Sequence, residues 1–270
     1  SFEELIVFGT IAIPLIICCI LGVLILVKLL IKKVPISSKM SYLIAIGTSV
    51  CGATAIVATA PVINAKKTEV AYAIANITLF GVIAMIFYPY FAEWYFDNDN
   101  LKTGLFLGTA IHETSQVAAA GLIYDQQFNS PETLNVATVT KLIRNTFLVI
   151  LIPLFAFLYN RGELKSQNYS ILNIFPYFVI GFIGMIIVRN IGDQFFINGS
   201  NNYNIWINLI EYLKILATVF LTMAMAAVGI SINLSELKSM GYKPFVVGLI
   251  AAITVGIISI IFIETITKFF

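Results

Sequence analysis

The run His112-Glu113-Thr114-Ser115-Gln116 sets an imidazole, a carboxylate, two hydroxyls and an amide on consecutive positions of an otherwise apolar stretch. At helical spacing His112 and Gln116 share a face, with Glu113 beside Gln116. Such groups can carry a proton or hold a polar ligand. The run starts like a His-Glu-x-x-His zinc signature, but Gln116 stands where the second histidine belongs and His112 is the sole histidine. A two-histidine zinc site therefore cannot be built from this chain. Lys141 and Arg144 share one face of another helix, and the guanidinium fork suits an oxyanion or a carboxylate such as Glu113. Thr48, Ser49, Cys51 and Thr54 add small donors and acceptors next to Gly47 and Gly52. Each set has a plainer reading: a polar tip wetted by water, cations snorkelling to lipid headgroups, and small residues that permit close helix packing.

The elements that hold these residues belong to a membrane. Only 11% of the 270 residues are charged, against roughly 25% in soluble domains, and mean hydropathy is +0.94. Runs of about 20 apolar residues, each long enough to cross a bilayer, recur at 5–31, 42–63, 70–95, 103–123, 136–158, 171–189, 210–231 and 244–263. The expected fold is all-α and polytopic, one transmembrane domain over 1–270. No signal peptide is expected, because the first apolar run is long and ends in Lys28, Lys32 and Lys33. Cys18, Cys19 and Cys51 lie in apolar runs, which argues against a disulfide framework. At membrane depth an ionisable side chain is costly, so His112 and Glu113 read first as functional. Lys141 and Arg144 lie near the outer end of 136–158, where two cations run against the usual charge bias.

Lysine placement sets the topology. Lys32, Lys33 and Lys39 precede 42–63, and Lys66 and Lys67 follow it. Both ends then face the cytoplasm, which a re-entrant hairpin turning near Gly47 to Gly52 satisfies and a single crossing does not. Segment 103–123 lies between Asp97-Asn98-Asp99 and Tyr124-Asp125-Gln126, and reads as a hairpin from the outside. Later crossings alternate through the loops with Arg161 and Lys165 and with Lys238 and Lys243. Full-length broken helices would leave the orientation beyond residue 123 the same.

The two hairpins resemble each other. Gly47-Thr48-Ser49-Val50-Cys51-Gly52-Ala53-Thr54 recurs sixty-one positions later as Gly108-Thr109-Ala110-Ile111-His112-Glu113-Thr114-Ser115. Paired interrupted helices are a sequence mark of inverted-repeat transporters, whose half-helix ends and unwound backbone bind substrate and ions at the midplane. A fainter echo links Glu4-Leu5 and Gly9 to Glu236-Leu237 and Gly241, on helices expected to run in opposite directions. Asn76 and Thr78, on the helix between the hairpins, face either the hairpins or a neighbour.

The stretch Ala45-Ile46-Gly47-Thr48-Ser49-Val50-Cys51-Gly52-Ala53-Thr54-Ala55-Ile56, with Ala60-Pro61-Val62-Ile63 and Ala65-Lys66 after it, resembles the YeiH-type family of bacterial inner-membrane proteins. So do Gly108 through Gly121 and Val139-Thr140-Lys141-Leu142-Ile143-Arg144. The resemblance covers essentially the whole chain. It implies the multi-pass inner-membrane location, a distant relation to cation/proton antiporter and anion transporter folds, and export of sulfate or a related sulfur oxyanion or sulfonate. Members carry further N-terminal helices, so the chain looks like the C-terminal part of a longer protein.

The expected function is secondary transport of a small anion, not catalysis. The substrate site would use Thr48, Ser49, Cys51, Thr54, Thr114, Ser115, Gln116, Lys141 and Arg144, with Glu113 and His112 as the coupling pair. Coupling would run on H+, or on a bound Na+ held by hairpin carbonyls and hydroxyls. The alternative is an ion channel or pump component that uses the hairpins as a filter. An enzyme is disfavoured because Cys51 and His112 lack a third, orienting group. Partners are the anion and the bilayer, with no nucleic acid; assembly into a homo-oligomer stays open.

Overall fold

The computed structural model describes residues 2–155, 178–196, 203–230 and 241–266, with Ser235 and Lys238. Arg161, Lys165, Glu236 and Leu237 lie outside the described residues. The described chain is helical: α1 (Phe2–Ile31), α2 (Ser38–Ser49), α3 (Ala53–Thr59), α4 (Lys67–Phe96), α5 (Asn100–Ala110), α6 (Thr114–Phe128), α7 (Pro131–Thr146), α8 (Phe178–Phe195), α9 (Tyr203–Ile230) and α10 (Lys243–Ile266). After a turn at Phe147 the axis of α7 continues as helix to Phe155. Gly9–Ile31, Lys67–Phe96, Pro131–Phe155 and Lys243–Ile266 are long and apolar enough to cross a membrane.

The segment 38–64 folds back on itself. Nine residues along one straight helix would separate two positions by about 13 Å, yet Gly47 packs against the side chain of Ile56. The two ends close where the Lys39 ammonium donates to Asn64 O at 2.6 Å. Ser37 donates to Glu69 at 2.5 Å, and Glu69 accepts the Lys66 amide at 3.0 Å, which fixes that base to the start of α4.

The second segment folds back as well, and α7 serves as the ruler. Along α5, Gly104 meets Val136 and Gly108 meets Ala137 and Thr140, so α5 and α7 run parallel. Along α6 the order reverses: Thr114 accepts from Asn145 at 3.0 Å, while Gly121 meets Leu134. The base closes where Thr133 donates to Asn100 O at 3.3 Å. Asp99 caps α5 by accepting the Lys102 amide at 3.0 Å.

Helix α4 fixes the relation between the hairpins. The first has its base at the N-terminal end of α4. The second has its base at the other end, where Tyr124 donates to Glu93 at 2.5 Å. Both tips reach the middle of α4: Gly52 lies beside Ile77, and Thr78 donates to Glu113 at 3.2 Å. The hairpins thus enter from opposite ends and meet halfway. Helix α10 runs parallel to α4, from Pro244, whose carbonyl accepts from Asn76 at 2.9 Å, to Glu264, paired with Lys102 at 3.3 Å. Exposed Ile25, Leu29, Ile83, Phe87, Ile253 and Ile257 give α1, α4 and α10 apolar outer faces.

Candidate functional site

A helix that stops in apolar surroundings leaves its last carbonyls without partners. Helix α2 stops at Ser49 because Val50 leaves helical geometry (φ −131°, ψ −100°) and Gly52 turns with φ +65°. A Cβ on Gly52 would stand 2.7 Å from Cγ of Glu113, so glycine serves both the turn and the approach of the second tip. Helix α5 stops at Ala110, where Ile111 and Glu113 are extended (ψ 142° and 145°).

Two buried cations take up the carbonyls that these stops release. Lys141 Nζ donates to Val50 O and to Ile111 O, each at 2.9 Å. Arg144 donates through Nε to Ser49 O at 2.9 Å, through Nη1 to Thr109 O and at 3.4 Å to Ile111 O, and through Nη2 to Thr48 O. Val50 and Ile111 hold matching places in the two similar motifs, and so do Thr48 and Thr109. One lysine and one arginine therefore grip the same carbonyls of both hairpins. The C-terminal ends of α2 and α5 carry the negative end of the helix dipole, which favours cations there.

Lys141 and Arg144 are fully buried, so neither snorkels to the surface. Among the described residues neither has a carboxylate within ion-pair distance. The expected pairing with Glu113 gives way to backbone acceptors, because Glu113 reaches across to α4 instead. It accepts from Thr78, its own amide donates to Gln116 Oε1 at 3.4 Å, and Gln116 Nε2 donates to Thr78 O at 3.2 Å. Gln116 fits there because residue 81 is glycine. Of the two α4 polar groups, Thr78 serves the hairpins and Asn76 serves α10.

Beside the two cations lie buried polar atoms with no hydrogen-bond partner among the described residues: Thr48 Oγ1, Ser49 Oγ, Thr140 Oγ1, His112 Nδ1 and Asn145 Oδ1. A buried polar atom without a partner costs about 1–3 kcal/mol, so a group of them around two cations asks for a ligand or water. The hydrogen bonds described leave one N–H of the Lys141 ammonium and one of the Arg144 guanidinium uncommitted. The cluster is rich in hydrogen-bond donors.

The structure brings together Thr48, Ser49, Cys51, His112, Lys141 and Arg144, with Glu113 and Gln116 at the tip contact. Thr114 is bound by Asn145 at its edge. Thr54 and Ser115 are exposed and lie outside the cluster. Of the groups expected to hold sodium, the carbonyls of Thr48, Ser49 and Val50 accept from Lys141 and Arg144, while the Thr48 and Ser49 hydroxyls have no partner among the described residues. Three side chains join that the sequence reading missed. Thr140 and Asn145 share the cation-bearing face of α7, which helical spacing from Lys141 and Arg144 could have revealed. Ser259 of α10 bonds the Thr109 hydroxyl at 2.5 Å, and no sequence signal pointed to it.

Residues 1–248 match the family described as conserved hypothetical protein 698. A UPF0324 membrane protein of Fusobacterium nucleatum subsp. nucleatum is 36% identical over 265 residues, covering 96% of this chain and 76% of that protein. A UPF0324 membrane protein of Streptococcus agalactiae serotype V is 35% identical over 250 residues, covering 93% and 71%. One from Streptococcus pneumoniae serotype 4 is 32% identical over 257 residues, covering 94% and 73%. No solved structure matches the chain. The chain belongs to the conserved hypothetical protein 698 family, the YeiH-type UPF0324 membrane proteins.

Proposed function

We propose that this membrane protein is a secondary active transporter that exports or exchanges a small anion across the bacterial inner membrane. One observation carries the reading: Lys141 and Arg144 are fully buried with no carboxylate partner among the described residues, beside buried hydroxyls that also have none there. Taking two cations out of water is costly unless opposite charge meets them. Backbone carbonyls supply dipoles but no charge. A substrate anion would supply the charge and accept from Thr48, Ser49 and Thr140. Sulfate, another small sulfur oxyanion or a sulfonate is what the family resemblance implies.

Opposed hairpins whose tips meet at mid-helix would give such a site a route from either side, as in inverted-repeat transporters. For coupling, the proton comes first, because Glu113 sits half-buried at the tip contact with His112 beside it. Sodium on the Thr48 and Ser49 hydroxyls and the unwound backbone is the alternative. The test is uptake of radiolabelled sulfate, sulfite and small sulfonates into proteoliposomes, with and without an imposed pH or Na+ gradient. Saturable uptake driven by the pH gradient supports the reading, and conduction without saturation opposes it.

A further inference from the structure

A cavity of about 300 Å³ lies between α1, α2 and the helical segment that ends at Phe155. Leu24, Val27 and Ile31 form one wall, Ala45 another, and the edge-to-face rings of Tyr42 and Phe155, 5.6 Å apart, a third. Among the described residues Lys28 brings the one charge to the lining, beside the Ser41 hydroxyl. The cavity sits where the first hairpin closes, within two turns of the start of α2.

That end of the molecule is strongly basic. Exposed Lys28, Lys32 and Lys33 follow one another down the end of α1 and into the next turn. The nearby carboxylate of Glu69 is already engaged by the Ser37 hydroxyl and the Lys66 amide. The opposite end of α4 carries Asp97 and Asp99, with Asp125 and Glu132 beyond, so the charge is polarised along the molecule. An apolar cavity opening under a row of lysines matches an amphiphile with an acyl chain and a negative head. In a bilayer that ligand is a phospholipid, and basic pockets between helices on the cytoplasmic side select anionic headgroups.

We propose that this cavity seats one acyl chain of an anionic membrane phospholipid, with its phosphate against Lys28 and the Lys32-Lys33 pair. The site is separate from the central cluster and stands whether or not the protein transports anions. A zwitterionic lipid offers the same chain but compensates its own phosphate, so charge decides between the two.

The experiment titrates the purified chain in detergent with phosphatidylglycerol and with phosphatidylcholine of identical chains, counting bound lipids by native mass spectrometry. Phosphatidylglycerol should bind at least about fivefold more tightly for each lysine engaged. Lys28→Gln should cut that preference about fivefold, and Ala45→Phe, which fills the cavity, should weaken both lipids. Lys102→Gln, at the opposite end, should change neither. Equal binding of the two lipids overturns the proposal, and so does a preference that survives Lys28→Gln, Lys32→Gln and Lys33→Gln together. An equal loss in Lys102→Gln overturns it too, since the effect would then be general surface charge. If Ala45→Phe does not fold, the exposed lysine variants decide alone.

Discussion

Lys141 and Arg144 each combine a charge with a set of backbone contacts, and substitution can separate the two. Arg144→Ala removes the charge and strands the carbonyls of Thr48, Ser49 and Thr109. A lost charge-assisted contact is worth roughly 1.5–3 kcal/mol, so anion affinity should fall by about one to two orders of magnitude. Thermal stability should fall with it. Arg144→Lys keeps the charge but not the fork, so it should bind the anion more tightly than Arg144→Ala and still melt below wild type. Binding by scintillation proximity and melting by intrinsic fluorescence read the two effects apart; unchanged affinity in both variants contradicts the assignment. For coupling, Glu113→Gln should preserve anion exchange while abolishing flux driven by a pH gradient. His112→Ala should shift the pH dependence and keep the driven flux. That the two cations turn inward was one of two readings open to a pair on one face near the outer end of 136–158, the other being snorkelling to headgroups. Their full burial decides between them. Their acceptors were not legible, because a backbone carbonyl leaves no mark in the residue types that supply it.

At the scale of elements, the hairpins rest on the tip contact between Gly52 and Glu113. Gly52→Ala forces a side chain into a positive-φ conformation, at about 1–3 kcal/mol, and pushes on Glu113 from 2.7 Å away. The variant should melt lower than wild type, and Glu113→Ala in the same chain should recover part of the loss by clearing the contact. No recovery would mean that the tips do not touch in this way. The folding back of 42–63 was readable because lysines flank both of its ends, and that of 103–123 because Asp97 and Asp99 lie before it and Asp125 after it. The points of interruption were readable from the glycines and the repeated Gly-Thr. What the sequence could not place was the meeting of the tips, since Thr78 and Ile77 sit in a helix whose pattern does not say which neighbour they face. With Cys18, Cys19 and Cys51 removed, an impermeant thiol reagent outside the cell should label Asn98→Cys and spare Lys66→Cys. Labelling of both from one side would contradict opposed hairpins.

For the whole molecule, basic residues gather at one end of α4 and acidic residues at the other, while two cations sit buried between. Such a distribution suits a protein that orients in a bilayer and admits anions to its middle. The four helices among the described residues that are long and apolar enough to cross a membrane were legible from hydropathy, and the family from the motifs around Gly47, Gly108 and Lys141. Which anion the proposed site would take was not, because backbone-held cations and hydroxyls would read the same for several oxyanions. The most direct test is uptake of radiolabelled anions into proteoliposomes under an inward pH gradient, comparing wild type with Arg144→Ala and Glu113→Gln. Wild type should show saturable, gradient-driven uptake, Arg144→Ala uptake reduced about ten- to a hundredfold at low substrate, and Glu113→Gln exchange without driven uptake. Uptake that ignores both substitutions, or a current that does not saturate, would contradict the proposed transport.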